Sequence, residues 1–183
     1  MKFRLPEMED RSEIMLYIQE HYSNNEKSLS ATSSLPLMEY GEWVKKIHDN
    51  TFISDPVWGK SFTYLAFSDE NELVGFLSIR FDMPEDLALK YGHIGYGVRP
   101  HQRRKGYAGQ MLHFALDKCR ELGMESVTVG CYKENIGSAK TITKNGGRLI
   151  REIKVDKKIS DYWEIQLVDQ FYEIELNNRD LED

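Results

Sequence analysis

The segment best equipped for chemistry runs V-R-P-H-Q-R-R-K-G-Y-A-G, from Val98 to Gly109. Arg99, Arg103, Arg104 and Lys105 crowd together, and Gly106 follows them. An apolar run ends at Val98, Pro100 stops it, and small residues open a helical pattern. The first turn of a helix presents N–H groups without intrahelical acceptors and a partial positive charge. A pyrophosphate placed there binds to the main chain itself. Gly106 has no Cβ and lets the backbone come close to a phosphate, and Ala108 keeps the next turn narrow. Arg103, Arg104 and Lys105 add full charges to the partial ones. The segment is not a Walker loop, since no G-K-[ST] follows, and it is not the dinucleotide fingerprint G-x-G-x-x-G.

The rest of the chain limits what that segment can bind. The net charge is −6, and six acids with one arginine lie between Asp169 and Asp183, so the remainder is nearly neutral. This balance argues against nucleic acid as a partner and for a small anionic ligand at the basic segment. A length of 183 residues suits one domain, expected over residues 1–168 with an acidic tail over 169–183. No apolar run approaches the roughly 20 residues that span a bilayer, and the N-terminus lacks a signal-peptide pattern. Two cysteines, Cys119 and Cys131, make no disulfide framework. A cytoplasmic protein without a membrane partner is expected. His21, His48, His93, His101 and His113 show no ligand spacing, so no metal is expected either.

The elements that must position the basic segment follow from hydrophobic period. Lys2 to Leu5 reads as a strand and Glu9 to Tyr22 as an amphipathic helix. Ser23 to Pro36 is a polar loop. Leu37 to His48 is a second helix, with Tyr40, Trp43, Val44 and Ile47 on one face. Phe62–Phe67 and Leu73–Phe81 form an antiparallel hairpin around a polar turn. A loop around Pro84 precedes a strand from His93 to Val98. Ala108, Met111, Leu112, Ala115, Cys119 and Leu122 mark the clearest helix, stopped by Gly123. A strand over Val127–Cys131 and a helix over Asn135–Asn145, ended by Gly146-Gly147, come next. Arg148–Val155 and Tyr162–Val168 read as a last antiparallel pair. The fold class is α/β in the α+β sense: one domain whose central sheet mixes antiparallel and parallel pairing between flanking helices.

In this setting the sequence resembles the GNAT (GCN5-related) N-acetyltransferase superfamily, and within it a bacterial subgroup of acetyltransferases. The family signature [RQ]-x-x-G-x-[GA] is matched by Arg103, Gly106 and Ala108, and the preceding V-x-P by Val98 and Pro100. The later asparagine at a helix mouth is matched by Asn135, and the K-x-G-[GF] ending by Lys144-Asn145-Gly146-Gly147. The likeness runs from about Val74 to Leu149, and the order of elements fits as far as Leu167.

The resemblance implies an acetyl-CoA-dependent N-acetyltransferase acting on a primary amine of a small molecule or peptide. It implies that Tyr96, Gly97 and Val98 pair with the pantetheine arm like an added strand. The N–H groups of Arg104, Lys105, Gly106, Tyr107, Ala108 and Gly109 would hold the pyrophosphate, with Arg103 beside them. The strands at Val98 and Val127 would splay apart around the thioester, with Asn135 and Ser138 facing the pantetheine. Asn135 is also a favoured helix N-cap, which is compatible with that role.

The chemistry is attack of a neutral amine on a thioester, so a proton must leave the amine. A backbone N–H near Gly97 or Val98 can stabilise the oxyanion. Many relatives carry a tyrosine seven residues after the asparagine as the acid; here that position is Ile142, which cannot donate. Tyr132 is the substitute candidate. His93 is the candidate base because it titrates near neutrality, with Glu85 and Asp86 as alternatives. The loop Ser23–Pro36, the loop Asp82–Lys90 and the aromatics Tyr40, Trp43 and Trp58 are expected to wall the acceptor site. Ile142 also leaves open a non-catalytic acyl-CoA-binding sensor or scaffold, and a phosphate site for another nucleotide is a third reading. A homodimer is compatible with the sequence but not required by it.

Overall fold

In a computed structural model, which describes residues 1–160 and 163–176, the two hydrophobic periods of the chain build a sheet with helices on both faces. The strands are Lys2–Arg4 (β1), Lys60–Phe67 (β2), Leu73–Phe81 (β3), Ile94–Val98 (β4), Ser126–Tyr132 (β5), Arg148–Ser160 (β6) and Trp163–Glu175 (β7). They form one sheet in the order β1-β2-β3-β4-β5-β7-β6. The helices are Arg11–Ser23 (α1), Tyr40–Asp49 (α2), Glu85–Tyr91 (α3), Tyr107–Glu121 (α4) and Ile136–Lys144 (α5).

Strand β3, L-V-G-F-L-S-I-R-F, is apolar nearly throughout because both its faces are covered. On one face Leu65, Phe67, Leu73 and Phe76 pack under α1 and α2, against Ile14, Tyr17, Trp43 and Ile47. On the other, Ala66, Leu77 and Ile79 pack under α4, against Met111, Leu112, Ala115 and Cys119. Val74 is an extra residue where Phe67 pairs Leu73 and Ala66 pairs Gly75, and this bulge shifts the alternation so that Phe76 returns to the α1 face. Tyr40 and Trp43 are buried in that core, with the Trp43 indole N–H bonded to Thr32 O; they do not wall an acceptor site.

Every pairing in the sheet is antiparallel except β4 with β5, which is parallel and has one register pair, Ile94 with Val129. Beyond that pair the two strands diverge, as expected of splayed strands. The other edge of β5 is fully used, from Ser126 opposite Glu175 to Tyr132 opposite Asp169.

Two expectations need correction. The loop around Pro84 contains α3: Pro84 stands at its N-cap with extended backbone, and Glu85 and Asp86 occupy the first turn, where acids suit the helix dipole. The expected tail begins too early. Asp169 to Glu175 belong to β7, with Phe171, Tyr172 and Ile174 buried between the acids. Residues 177–183 lie outside the described residues. Among the described residues no helix is long and apolar enough to cross a membrane.

Candidate functional site

Helix α4 starts immediately after a turn whose backbone is left-handed at Arg104 (φ 62°) and at Gly106 (φ 85°). That turn aims a series of N–H groups outward. From Arg104 to Gly109, none of six consecutive N–H groups donates to a protein acceptor among the described residues; the first helical bond is Gln110 N–H to Gly106 O, at 3.3 Å. A Cβ built on Gly106 or Gly109 would meet nothing within 4 Å, so the space in front of these donors is open. The donors line a groove of about 970 Å³ that continues along β4. The groove brings together Tyr96, Gly97, Val98, Arg103, Arg104, Gly106, Tyr107, Ala108, Gly109, Tyr132, Asn135 and Ser138. Free backbone donors, an open approach and an unpaired cation fit a pyrophosphate with a chain attached.

The cations of the turn do different jobs. Arg99 is spent on α1: its Nε and Nη1 donate to Glu20 and Glu13, each at 2.6 Å. Burial would raise the Glu20 carboxyl, but the His101 N–H and the Arg99 and His101 side chains outweigh it and hold the group at about 2. Arg103 is also engaged. Both its Nη atoms donate to Glu26, and its Nε donates to Val98 O at 3.0 Å. Lys105 does not line the groove; its Nζ donates to Gln102 Oε1 at 2.7 Å. Arg104 lines the groove and has no ion pair among the described residues. The full charges read from the sequence thus reduce, at the groove itself, to Arg104 and the neutralised Arg103.

Where β4 and β5 part, a second cavity of about 270 Å³ is lined by Gly95, Tyr96, Cys131, Tyr132, Asn135, Ser138 and Phe171, among others. Tyr96 reaches across the gap to α5, its hydroxyl 2.8 Å from Ser138 Oγ. Burial pushes the Tyr96 phenol up to about 12, against the lowering effect of that bond. Asn135 caps α5, its Oδ1 accepting the Ser138 N–H at 3.1 Å, so the cap and the groove lining coexist in one residue. Burial raises the Cys131 thiol. Tyr132 is 43% exposed and lines both spaces. Ile142 is fully buried in the core under α4, and a Cβ on Gly147 would sit 2.4 Å from its Cγ2.

His93 is placed differently from the sequence reading. It precedes β4 and clamps the closed end of the gap. Its N–H donates to Thr128 O at 2.7 Å, and its ring Nδ1 accepts the Thr128 N–H at 2.9 Å. An Nδ1 that accepts leaves the proton on Nε2, so the ring has no lone pair left for an amine proton. Burial and the nearby Arg80 both lower its pKa. Glu85 and Asp86 are exposed on α3 and line neither the groove nor the cavity in the gap.

Sequence reasoning missed the wall opposite α4. Glu26 accepts from His21 Nδ1 at 2.7 Å as well as from Arg103, and both His21 and Glu26 line the groove. The Tyr17 hydroxyl is buried without a partner, and a Cβ on Gly97 would come within 3.2 Å of it. These groups lie 77 residues or more from Arg103 of the signature, and no local pattern links them to it.

A family model for the Acetyltransferase (GNAT) family matches residues 31–146. No curated protein sequence matches the chain. Among solved structures, the fold is similar to an N-acetyltransferase from Staphylococcus aureus Mu50, with TM-score 0.66 at 18% identity over 96% of this chain and 98% of that one. It is also similar to the ribosomal L7/L12 alpha-N-protein acetyltransferase RimL in complex with coenzyme A, with TM-score 0.67 at 17% identity over 96% and 94%. A third is the microcin C7 self-immunity acetyltransferase MccE in complex with acetyl-CoA and AMP, with TM-score 0.65 at 17% identity over 94% and 91%. With the family model spanning most of the chain, including the left-handed turn and the open gap between β4 and β5, the chain belongs to the GNAT family of acetyltransferases.

Proposed function

We propose that the protein transfers the acetyl group of acetyl-CoA to a primary amine of a small molecule or peptide, by direct attack, in the cytoplasm. The observation that carries this reading is the run of unpartnered N–H groups from Arg104 to Gly109, joined by one groove to the open edge of β4. In this reading the run holds the pyrophosphate, and Arg104 adds the full charge. The Arg99 N–H donates to Val74 O on β3. Strand alternation therefore turns the Val98 and Tyr96 N–H groups toward the gap, where one of them can hold the thioester oxygen as charge develops on it. Acetyl-CoA supplies an acyl group already activated as a thioester. Tyr132, which lines both the groove and the gap, is the acid in this reading: its hydroxyl returns a proton to the departing thiolate.

Calorimetry with acetyl-CoA, followed by thiol release across a panel of amines, tests the reading. Absence of binding near millimolar concentration overturns it. The buried Ile142 at the usual tyrosine position favours a second reading, an acyl-CoA-binding domain without turnover. Steady thiol release with any amine rules that out.

A further inference from the structure

A third cavity, of about 520 Å³, lies between α2, the polar loop after α1, the turn at Asp55–Gly59 and strand β3. Lys27 and Ser28 line both it and the groove, so the two spaces adjoin. Its charged lining is Lys27, Lys46 and Arg80 against Asp55 alone, a cationic pocket on a chain of net charge −6. Asp55 does not offset Arg80: its Oδ1 accepts the N–H groups of Val57 and Trp58 at 2.8 and 2.9 Å.

Arg80 is the unusual member. Its Nη1 donates to Gly92 O at 2.8 Å and more loosely to Tyr91 O at 3.4 Å, at the C-terminal end of α3. The guanidinium carbon lies 5.8 Å from the centre of the Trp58 ring. No carboxylate pairs with it among the described residues, and its Nε and Nη2 donate to no protein acceptor there. Burial alone shifts its pKa, downward, with no acid near enough to oppose it. A half-buried cation without a carboxylate partner carries some desolvation cost, and an arriving anion at its free Nε and Nη2 relieves it. The planar fork left over matches a carboxylate.

Ser78 stands two residues before Arg80 on the same face of β3, about 7 Å along the strand. It lines the same cavity, and its Oγ is buried without a partner. It pairs with Gly95 of β4, where an added Cβ would come within 3.1 Å of that Oγ. The strand is bare at that point, beside the gap between β4 and β5.

We infer that this cavity binds the anionic end of the acceptor: the substrate is a small amino carboxylate whose carboxylate pairs with Arg80, supported by Lys46, while its amine faces β4 near Gly95. This rests on the transferase reading for the fate of the amine, but the anion site itself does not require it. The tests are kept separate for that reason. Thiol release is measured for amino acids and for their carboxamides, with wild type, Arg80→Gln, Arg80→Lys and Lys46→Gln. Direct calorimetry of the same amino acids is run on CoA-saturated protein, and melting curves with acetyl-CoA titrations show that each variant folds. The free acids should show a KM about ten-fold or more below the amides, since a site built for a polar group rejects the analogue lacking it. Arg80→Gln should bring that ratio to near unity, Arg80→Lys should restore part of it, and Lys46→Gln, on an exposed position of α2, should reduce it.

Equal KM values for acid and amide in the wild type, or an undiminished preference in Arg80→Gln, overturns the inference while leaving acetyl transfer intact. If no amine releases thiol but amino acids bind and Arg80→Gln abolishes that binding, the anion site stands and the transferase reading falls. If Arg80→Gln does not fold, an acid preference untouched by Lys46→Gln overturns the inference, and a reduced one supports it. Absence of both binding and preference overturns it outright.

Discussion

Arg103 and Glu26 form a two-point ion pair, with both N–O contacts at 2.6 Å, across the mouth of the groove. The signature arginine is therefore already neutralised by the loop after α1. The same carboxylate accepts from His21, and the Arg103 side chain holds its pKa below the usual range. A pyrophosphate entering the groove meets this carboxylate as a like charge. Glu26→Gln keeps a hydrogen-bonding group and removes the charge, so it should tighten acetyl-CoA binding. An exposed pair contributes up to about 1 kcal/mol, or roughly five-fold in Kd. The gain should shrink in high salt. Calorimetry at two salt concentrations checks both points; weaker binding by Glu26→Gln would mean that the charged pair shapes the groove rather than competing for the arginine.

Gly106 and Gly123 provide a matched comparison. Both have positive φ, 85° and 74°, and a Cβ on either meets nothing within 4 Å. Substitution by alanine at each should cost about 1 kcal/mol from backbone strain alone. Only Gly106 faces the groove. Gly106→Ala and Gly123→Ala should thus melt alike, while acetyl-CoA affinity falls in the first and holds in the second. Gly106→Glu adds a negative charge among the free N–H groups and should abolish binding at millimolar ligand.

The pattern of what the sequence revealed follows the range of the forces involved. The Val98–Gly109 turn and the α4 helix were legible because their signals are local: a strand stop at Pro100, a glycine at a left-handed position, a 3.6-residue apolar period. The length of β7 was hidden because the acids Asp169, Glu173 and Glu175 are interspersed with the buried Phe171, Tyr172 and Ile174, and a charge count sees the first set while burial depends on the second. Helix α3 is seven residues, too short to show a period. His21, Glu26 and Arg80 reach their places only by tertiary packing. A cation in a strand is also ordinary in sequence; that Arg80 lacks a counter-charge is visible only once its neighbours are known.

His93 should act on stability more than on proton transfer. Its folded pKa lies below the ordinary 6.5, because burial and Arg80 disfavour the charged ring. The unfolded chain then binds more protons over the window below about pH 6.5. The stabilisation is complete above that window and is lost as pH falls through the depressed folded value. His21 shifts in the same direction, again mainly through burial. Unfolding free energy from urea titrations should therefore decline from pH 7 toward pH 5. His93→Gln, which keeps a side-chain acceptor for the Thr128 N–H, should flatten part of that decline. The same variant should leave the shape of the pH–rate profile unchanged. Loss of its acidic limb would return His93 to the role of base.

Tyr132 and Ile142 divide the question of the acid. Tyr132 lines both the groove and the gap, so in the proposed reading Tyr132→Phe removes one hydroxyl near the departing thiolate. General acid catalysis is worth about 10²–10⁴ for a poor leaving group; thiolates leave more readily, so a fall in kcat of about ten-fold is expected, with acetyl-CoA affinity preserved. Ile142→Tyr asks whether the usual position can simply be restored. Ile142 is fully buried, and Gly147 has no room even for a Cβ beside it. A larger, polar side chain there should destabilise the fold by about 1–3 kcal/mol and add nothing to turnover, because the ring would have to enter the core under α4 or force α5 outward. Single-turnover thiol release for the two variants distinguishes the cases. A normal rate for Tyr132→Phe means that the thiolate leaves without help from this side chain, and a rate gain for Ile142→Tyr would place the acid on α5 after all.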